Sequence, residues 1–136
     1  MGAISELIRI ESDGTISFGD YTLGAKAKTL LAHGENSYKV KTYKDITKLE
    51  CNDIFVYESV PGTAVSGFCK EANKVSFSVE GPEDAQITLE LEAESDYEIT
   101  INGETAGTMS TNLGGKLSMS VELAENAVVA IVVEKR

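Results

Sequence analysis

Residues 86–93 read Gln-Ile-Thr-Leu-Glu-Leu-Glu-Ala, and apolar and polar side chains alternate along this octapeptide. Successive side chains of a β-strand point to opposite faces, so a period of two predicts a strand that is buried on one face only. Ile87, Leu89 and Leu91 then face a core, and the threonine and glutamates between them face water.

The same alternation recurs along most of the chain, in residues 7–12, 15–18, 37–44, 46–51, 54–58, 74–80, 97–101 and 117–123. Asp13-Gly14, Asn52-Asp53 and Asn102-Gly103 separate neighbouring segments, and such pairs tolerate the positive φ of tight hairpin turns. Short strands at intervals of about ten residues are typical of antiparallel sandwiches and barrels. We therefore predict an all-β fold of antiparallel hairpins and a small β-sandwich.

Residues 24–34, Gly-Ala-Lys-Ala-Lys-Thr-Leu-Leu-Ala-His-Gly, permit two interpretations. They are rich in helix formers and end in a glycine, which commonly terminates helices. Alanine and lysine also alternate here, and only Leu30 and Leu31 offer an apolar stripe, which is little for an isolated ten-residue helix. A strand is favoured, with one short helix as the alternative.

Pro61-Gly62 fits the central pair of a type II turn and marks the predicted boundary between two halves. A length of 136 residues suits one domain or two small ones. We predict an N-terminal hairpin subdomain over residues 1–66 and a C-terminal antiparallel sandwich subdomain over residues 67–136.

The chain carries 22 acidic and 12 basic side chains, a net charge of −10. This excess argues against binding nucleic acids or anionic membranes, both of which select clustered Lys and Arg. The N-terminus has neither a basic segment nor a long apolar one, so we expect no signal peptide and no membrane anchor. A cytoplasmic location is the default, with non-classical export as the alternative.

The two halves differ in charge. Residues 1–70 hold nine acidic and eight basic side chains (net −1), whereas residues 71–136 hold thirteen and four (net −9). The lysines concentrate at Lys26, Lys28, Lys39, Lys41, Lys44 and Lys48, and the opposing acidic row is Glu90, Glu92 and Glu94. Faces of opposite sign steer association and set register. The alternative is two solvated faces that preserve solubility and protect sheet edges.

Residues 128–133, Val-Val-Ala-Ile-Val-Val, are apolar on both faces. Such a strand is either central in the fold or covered by a partner. Burial within the chain is favoured, but a C-terminal strand at a sheet edge would pair with another chain. Val129, Ile131 and Val133 are therefore candidate contact residues.

The residues for common catalytic sites are scarce. A single histidine, His33, excludes multi-histidine metal sites, and Cys51 and Cys69 fit two reduced structural thiols better than a disulfide framework. Residues 114–117, Gly-Gly-Lys-Leu, lack the Ser or Thr of a phosphate-binding loop. The glutamates fall on solvent-facing positions, whereas a catalytic acid needs a pocket. We predict no catalytic residue, no metal site and no cofactor.

Residues 38–49, YKVKTYKDITKL, and residues 55–65, FVYESVPGTAV, resemble a family of small proteins from clostridial-type anaerobes that genome annotation often labels endosialidase. The resemblance extends over nearly the whole chain and implies action on sialic acid polymers. Arginine forks suit the sialic acid carboxylate, and this chain has only Arg9 and Arg136. Residues 97–133 are similar to the small β-sandwich modules of extracellular carbohydrate enzymes, a likeness of architecture alone.

The leading prediction is a non-catalytic structural or interaction module that self-associates through sheet edges or charged faces. Its expected partner is a second copy of this chain. The alternative partners are another protein and a polysaccharide surface. The first alternative is a carbohydrate-binding module that uses Tyr43, which shares a strand face with Lys39 and Lys41. The second is a small glycoside hydrolase that uses a pair of glutamates. The interaction candidates are Lys39, Lys41, Tyr43, Glu90, Glu92, Val129, Ile131 and Val133.

Overall fold

The computed structural model describes residue 4, residues 6–125 and residues 127–136, and these residues form thirteen strands and no helix. In chain order the strands are β1 (Ile8–Ile10), β2 (Ile16–Phe18), β3 (Ala27–His33), β4 (Asn36–Tyr43), β5 (Ile46–Cys51), β6 (Ile54–Val60), β7 (Ala64–Lys70), β8 (Lys74–Glu80), β9 (Ala85–Glu90), β10 (Asp96–Ile101), β11 (Glu104–Ser110), β12 (Lys116–Val121) and β13 (Val129–Lys135).

The strands form two antiparallel sheets that pack their apolar faces together. Sheet A has seven strands in the order β1-β2-β7-β8-β13-β10-β11, and sheet B has six in the order β12-β9-β6-β5-β4-β3. One core cluster takes buried side chains from both sheets. The predicted all-β class and the small sandwich are confirmed.

The segment with two interpretations is a strand. β3 pairs with β4 over its whole length, from Ala27 opposite Thr42 to His33 opposite Asn36. The short-helix alternative is wrong, because this pairing provides backbone hydrogen bonds and a packing surface that an isolated helix would lack. Leu31 packs against the core, whereas the side chain of Leu30 is 73% exposed.

The C-terminal strand lies inside sheet A, where β13 pairs with β8 on one side and β10 on the other. The edge-strand alternative is therefore wrong. Val129, Ile131 and Val133 are buried in the core, so these three candidates offer no contact surface in the folded chain. The run of apolar residues is explained by a central position among strands that are distant in sequence.

The predicted subdomains do not correspond to the two sheets. Each sheet takes strands from both sides of residue 66, and β7 spans the boundary itself. The division into two subdomains stays a prediction.

Pro61-Gly62 does not form the predicted type II turn. The Val60–Pro61 peptide is cis, and Gly62 lacks the positive φ that the turn requires. The glycine serves close packing instead: a Cβ atom at this position would lie 2.0 Å from the carbonyl oxygen of Tyr43. The amide of Gly62 donates to the carbonyl oxygen of Lys44, at 3.0 Å.

Residues 61–63 cross from β6 in sheet B to β7 in sheet A, and a buried polar network surrounds this crossover. The hydroxyl of Thr63 lies 2.8 Å from the hydroxyls of both Tyr57 and Ser59. The hydroxyl of Thr47 lies 2.8 Å from that of Thr42 and also donates to the carbonyl oxygen of Thr63, at 2.8 Å. All five residues are fully buried. Because each hydroxyl has a partner, the network fixes the crossover from sheet B to sheet A without leaving an orphaned polar group.

The buried Tyr57 predicts a loss of stability at alkaline pH. Burial raises the pKa of its hydroxyl, against the opposing effect of its hydrogen bonds with Thr63 and Ser59. The neutral form is favoured in the folded state, so the stabilisation is complete below the ordinary tyrosine pKa of about 10 and declines above it. Relative to Tyr57→Phe, the wild-type free energy of unfolding should fall by up to about 1.4 kcal/mol per pH unit in urea titrations above that pKa. Parallel pH profiles for the two proteins would contradict this prediction.

Candidate interaction surface

The outer face of sheet B carries a row of lysines. The strand register places Lys28 on β3 directly opposite Lys41 on β4, and Lys41 directly opposite Lys48 on β5. Neighbouring strands lie about 4.8 Å apart, so the three side chains stand next to one another across the sheet. We call these three residues the lysine row.

The lysine row is only partly neutralised. Glu50 lies 3.6 Å from the ammonium of Lys48 and 3.4 Å from that of Lys39, the next lysine along β4. Within the part of the chain that the structure describes, Lys28 and Lys41 form no ion pair. Like charges directly opposite each other destabilise a sheet, so the arrangement opposes folding rather than supporting it.

A shallow depression of about 190 Å³ lies among these side chains and is lined by Lys28, Lys39, Lys41, Lys48 and Glu50. Four ammonium groups against one carboxylate leave it with a local charge of about +3. The chain as a whole has a net charge of −10, so the depression is opposite in sign to the molecule. Outside the depression, Glu58 on β6 lies directly opposite Lys48.

Tyr43 lies on the same outer face, beyond Lys41 on β4, and its side chain is half-buried. The ammonium of Lys26 is 6.0 Å from the centre of its ring. Across the sheet, the ammonium of Lys116 lies 4.5 Å from the centre of the Phe55 ring. Lysines therefore approach the aromatic rings of this face, which reduces the ring area open to a stacked ligand.

Two of the acidic candidates form ion pairs with lysines outside the lysine row. Glu90 pairs with Lys116 at 3.1 Å, and Glu92 pairs with Lys135 at 2.7 Å. The hydrogen bond that the Lys135 ammonium donates to the Glu92 carboxylate raises the pKa of Lys135. Glu90 on β9 is separated by β6 and β5 from β4, the strand that carries Lys39 and Lys41. Its ion-pair partner, Lys116, lies on the neighbouring strand β12.

The open edge of sheet A is formed by β11, and all seven of its residues are exposed. They read Glu-Thr-Ala-Gly-Thr-Met-Ser, with a single charge at the first position. The sequence predicted the hairpin turn at Asn102-Gly103 but not an exposed edge, because residues 104–110 show no apolar alternation. The lack of apolar alternation could have indicated the edge position, because a strand at the edge of a sheet can leave both of its faces exposed.

Carboxylates are the residues that the glycosidase alternative requires. Hydrogen bonds lower the pKa of two of them, Glu11 through Ser17 and Asp13 through Thr15. A general acid needs a raised pKa instead, so neither Glu11 nor Asp13 is suited to that role. The described residues include no group of three or more His, Cys, Asp or Glu arranged to hold a metal ion, and Cys51 and Cys69 are free thiols.

An apolar cavity of about 310 Å³ opens between the sheets, and its lining includes Ile16, Tyr38, Leu49, Val56 and Phe68. Burial raises the pKa of the Tyr38 hydroxyl, and no carboxylate contributes to the lining. The described lining also includes Cys51, Cys69 and Lys70, so it holds thiols and an amine in place of the two carboxylates of a glycosidase.

Comparison with known proteins adds no family to these observations. No protein-family model matches the chain, and no curated protein or solved structure is significantly similar to it. No described residue belongs to a helix of the length and apolarity needed to cross a membrane. The open edge of sheet A and the lysine row are therefore the features that indicate a function.

Proposed function

We propose that this protein is a non-catalytic interaction module that self-associates through the open edge of sheet A. The observation that carries the proposal is the exposure of the whole of β11. An edge strand presents unpaired amide and carbonyl groups, which are a template for pairing with another chain.

β11 is the least protected of the four sheet edges. β1 has only three residues, and the other two edges carry lysines, Lys28 on β3 and Lys116 on β12. Lysines and short strands are the usual devices that prevent edge pairing. β11 has neither lysine nor proline, and its one irregularity, a register shift beside Thr105, leaves residues 107–110 in regular pairing with β10.

The simplest assembly pairs β11 of one copy with β11 of a second, antiparallel, around a two-fold axis. Such an interface uses the same surface on both copies and joins two seven-stranded sheets into one. Each copy carries a net charge of −10, so the copies repel each other at low salt. Screening weakens that repulsion, and we expect the dimer to become more stable as salt increases.

Sedimentation velocity over a range of protein and salt concentrations tests the proposal. We expect the double variant Thr108→Lys/Ser110→Lys to raise the dimer dissociation constant about tenfold, because like charges then face each other across the two-fold axis. The matched control is Ser118→Lys/Ser120→Lys on β12, which changes the net charge equally and should leave the constant within about twofold.

Two results would overturn the edge proposal. A strict monomer at high protein concentration and at every salt concentration would exclude self-association. Association that weakens as salt increases and is insensitive to the β11 variant would instead indicate contact between charged faces.

A further inference from the structure

The centre of the lysine row has an energetic cost that the fold itself does not explain. Edge protection accounts for Lys28 on β3, and Glu58 on β6 lies directly opposite Lys48. Lys41 has no such explanation, because it lies directly between two lysines. Lys28, Lys41 and Lys48 lie in direct register on three adjacent strands, and their outer face contributes nothing to the core. Glutamate or threonine at the central position would remove the repulsion without disturbing the sheet. The row is therefore explained best by a ligand that supplies the missing negative charge.

We propose that the outer face of β3, β4 and β5 binds an anionic polysaccharide, with the acidic groups of successive sugars over the lysine row. The site is independent of self-association, because it lies on sheet B whereas the open edge belongs to sheet A. Three cations at strand spacing form a line across the sheet, which suits an extended polymer with a regularly repeated negative charge.

The chemistry of the face favours a polysaccharide over a nucleic acid. Single-stranded nucleic acids are held by bases stacked on open aromatic rings. Here Lys26 and Lys116 approach Tyr43 and Phe55, the aromatic rings of this face. Lysine ammonium groups act as point charges and need no fixed fork geometry, so they suit carboxylates or sulfates that project at varied angles from a sugar chain.

The face is also a poor match for an acidic protein. A stable protein interface buries about 800 Å² on each partner and has an apolar centre. The centre of this face is instead a depression of about 190 Å³ lined by four lysines and Glu50, and the highly exposed Leu30 lies on the edge strand β3. The depression therefore fits one charged sugar better than the core of a protein interface.

Calorimetric titration with polygalacturonate at low and raised salt tests the proposal. The variant Lys28→Gln/Lys41→Gln/Lys48→Gln should bind more than tenfold more weakly than the wild type, with a smaller dependence on salt. The matched control Lys44→Gln/Lys70→Gln/Lys74→Gln removes the same charge outside the row and should retain binding within about threefold. Circular dichroism of each variant verifies folding.

Other polyanions identify the ligand class. Heparin bound through the row, with little binding of polygalacturonate, supports the proposal and identifies sulfate as the acidic group. Tighter binding of polyglutamate or of oligodeoxythymidylate would overturn it in favour of an acidic protein or a nucleic acid. Absence of binding to both polysaccharides at low salt, or equal binding by the triple variant, would also overturn it. The variant Thr108→Lys/Ser110→Lys should bind the polysaccharide like the wild type, so the two proposals fail separately.

Discussion

Replacing Gly19 with alanine is expected to lower the free energy of unfolding by roughly 2–5 kcal/mol, from backbone strain and overpacking together. Gly19 has a φ of 101°, in the region that side chains disfavour. A Cβ atom on this residue would lie 2.4 Å from the carbonyl oxygen of Thr63 and 3.2 Å from Cγ2 of Thr47. Neither neighbour can retreat freely, because both belong to the buried polar network.

Gly14→Ala is the matched control for this substitution. Gly14 also has a positive φ, of 87°, but nothing lies within 4 Å of the position that a Cβ atom would take. The control carries the backbone strain alone, and we expect it to cost about 1–2 kcal/mol. Urea unfolding of both variants measures the difference. Equal losses would show that the close approach of Gly19 to Thr63 does not contribute to stability.

Thr63→Val is expected to destabilise the protein by roughly 2–4 kcal/mol, although it preserves the shape of the side chain. The substitution removes the hydroxyl that lies 2.8 Å from those of Tyr57 and Ser59. Both partners are fully buried, so water cannot replace the lost hydrogen bonds without a local opening of the core.

A double-mutant cycle separates this effect from packing. Tyr57→Phe removes the orphaned hydroxyl, so Tyr57→Phe/Thr63→Val should be less destabilised than the sum of the single variants. Thr88→Val is the exposed control: its hydroxyl bonds to Ser118 at 2.9 Å on the outer face, and its loss should change stability by less than about 0.5 kcal/mol. Additive losses in the cycle, or a loss at Thr88 as large as that at Thr63, would contradict the network's role.

The core network was only partly predictable from the sequence. Because Lys39, Lys41 and Tyr43 share one face of β4, alternation puts Val40 and Thr42 together on the other face, and the structure buries both. The roles of Thr47 and Thr63 depend on the path of residues 61–63 between the sheets, which brings the Thr63 backbone within hydrogen-bonding distance of Thr47. The periodicity of the sequence does not distinguish a threonine whose hydroxyl is buried and hydrogen-bonded from one whose hydroxyl is exposed to water.

The candidate surface was also predictable only in part. Alternation placed Lys39, Lys41 and Tyr43 on one face of a strand, and they lie there on the outer face of β4. The lysine row requires the pairing of β3 with β4 and of β4 with β5, which fixes Lys28 and Lys48 on either side of Lys41. Register depends on turn geometry and on the burial of the opposite face, and a shift of one residue would reverse the face.

The sequence by itself determined most of the strands and the buried face of those that alternate, because the period of side chains along a strand is a local property of the backbone. It did not determine β7 or β11, whose residues show no such alternation, and it left β3 open between strand and helix. The order of the strands was decided by the tertiary structure, which placed β13 between β8 and β10 and left β11 at an edge. Residues far apart in sequence make those pairings, and their free energy comes from burying two sheets against each other. The charge on each outer face follows from that order, so the surfaces open to a partner exist only in the folded molecule.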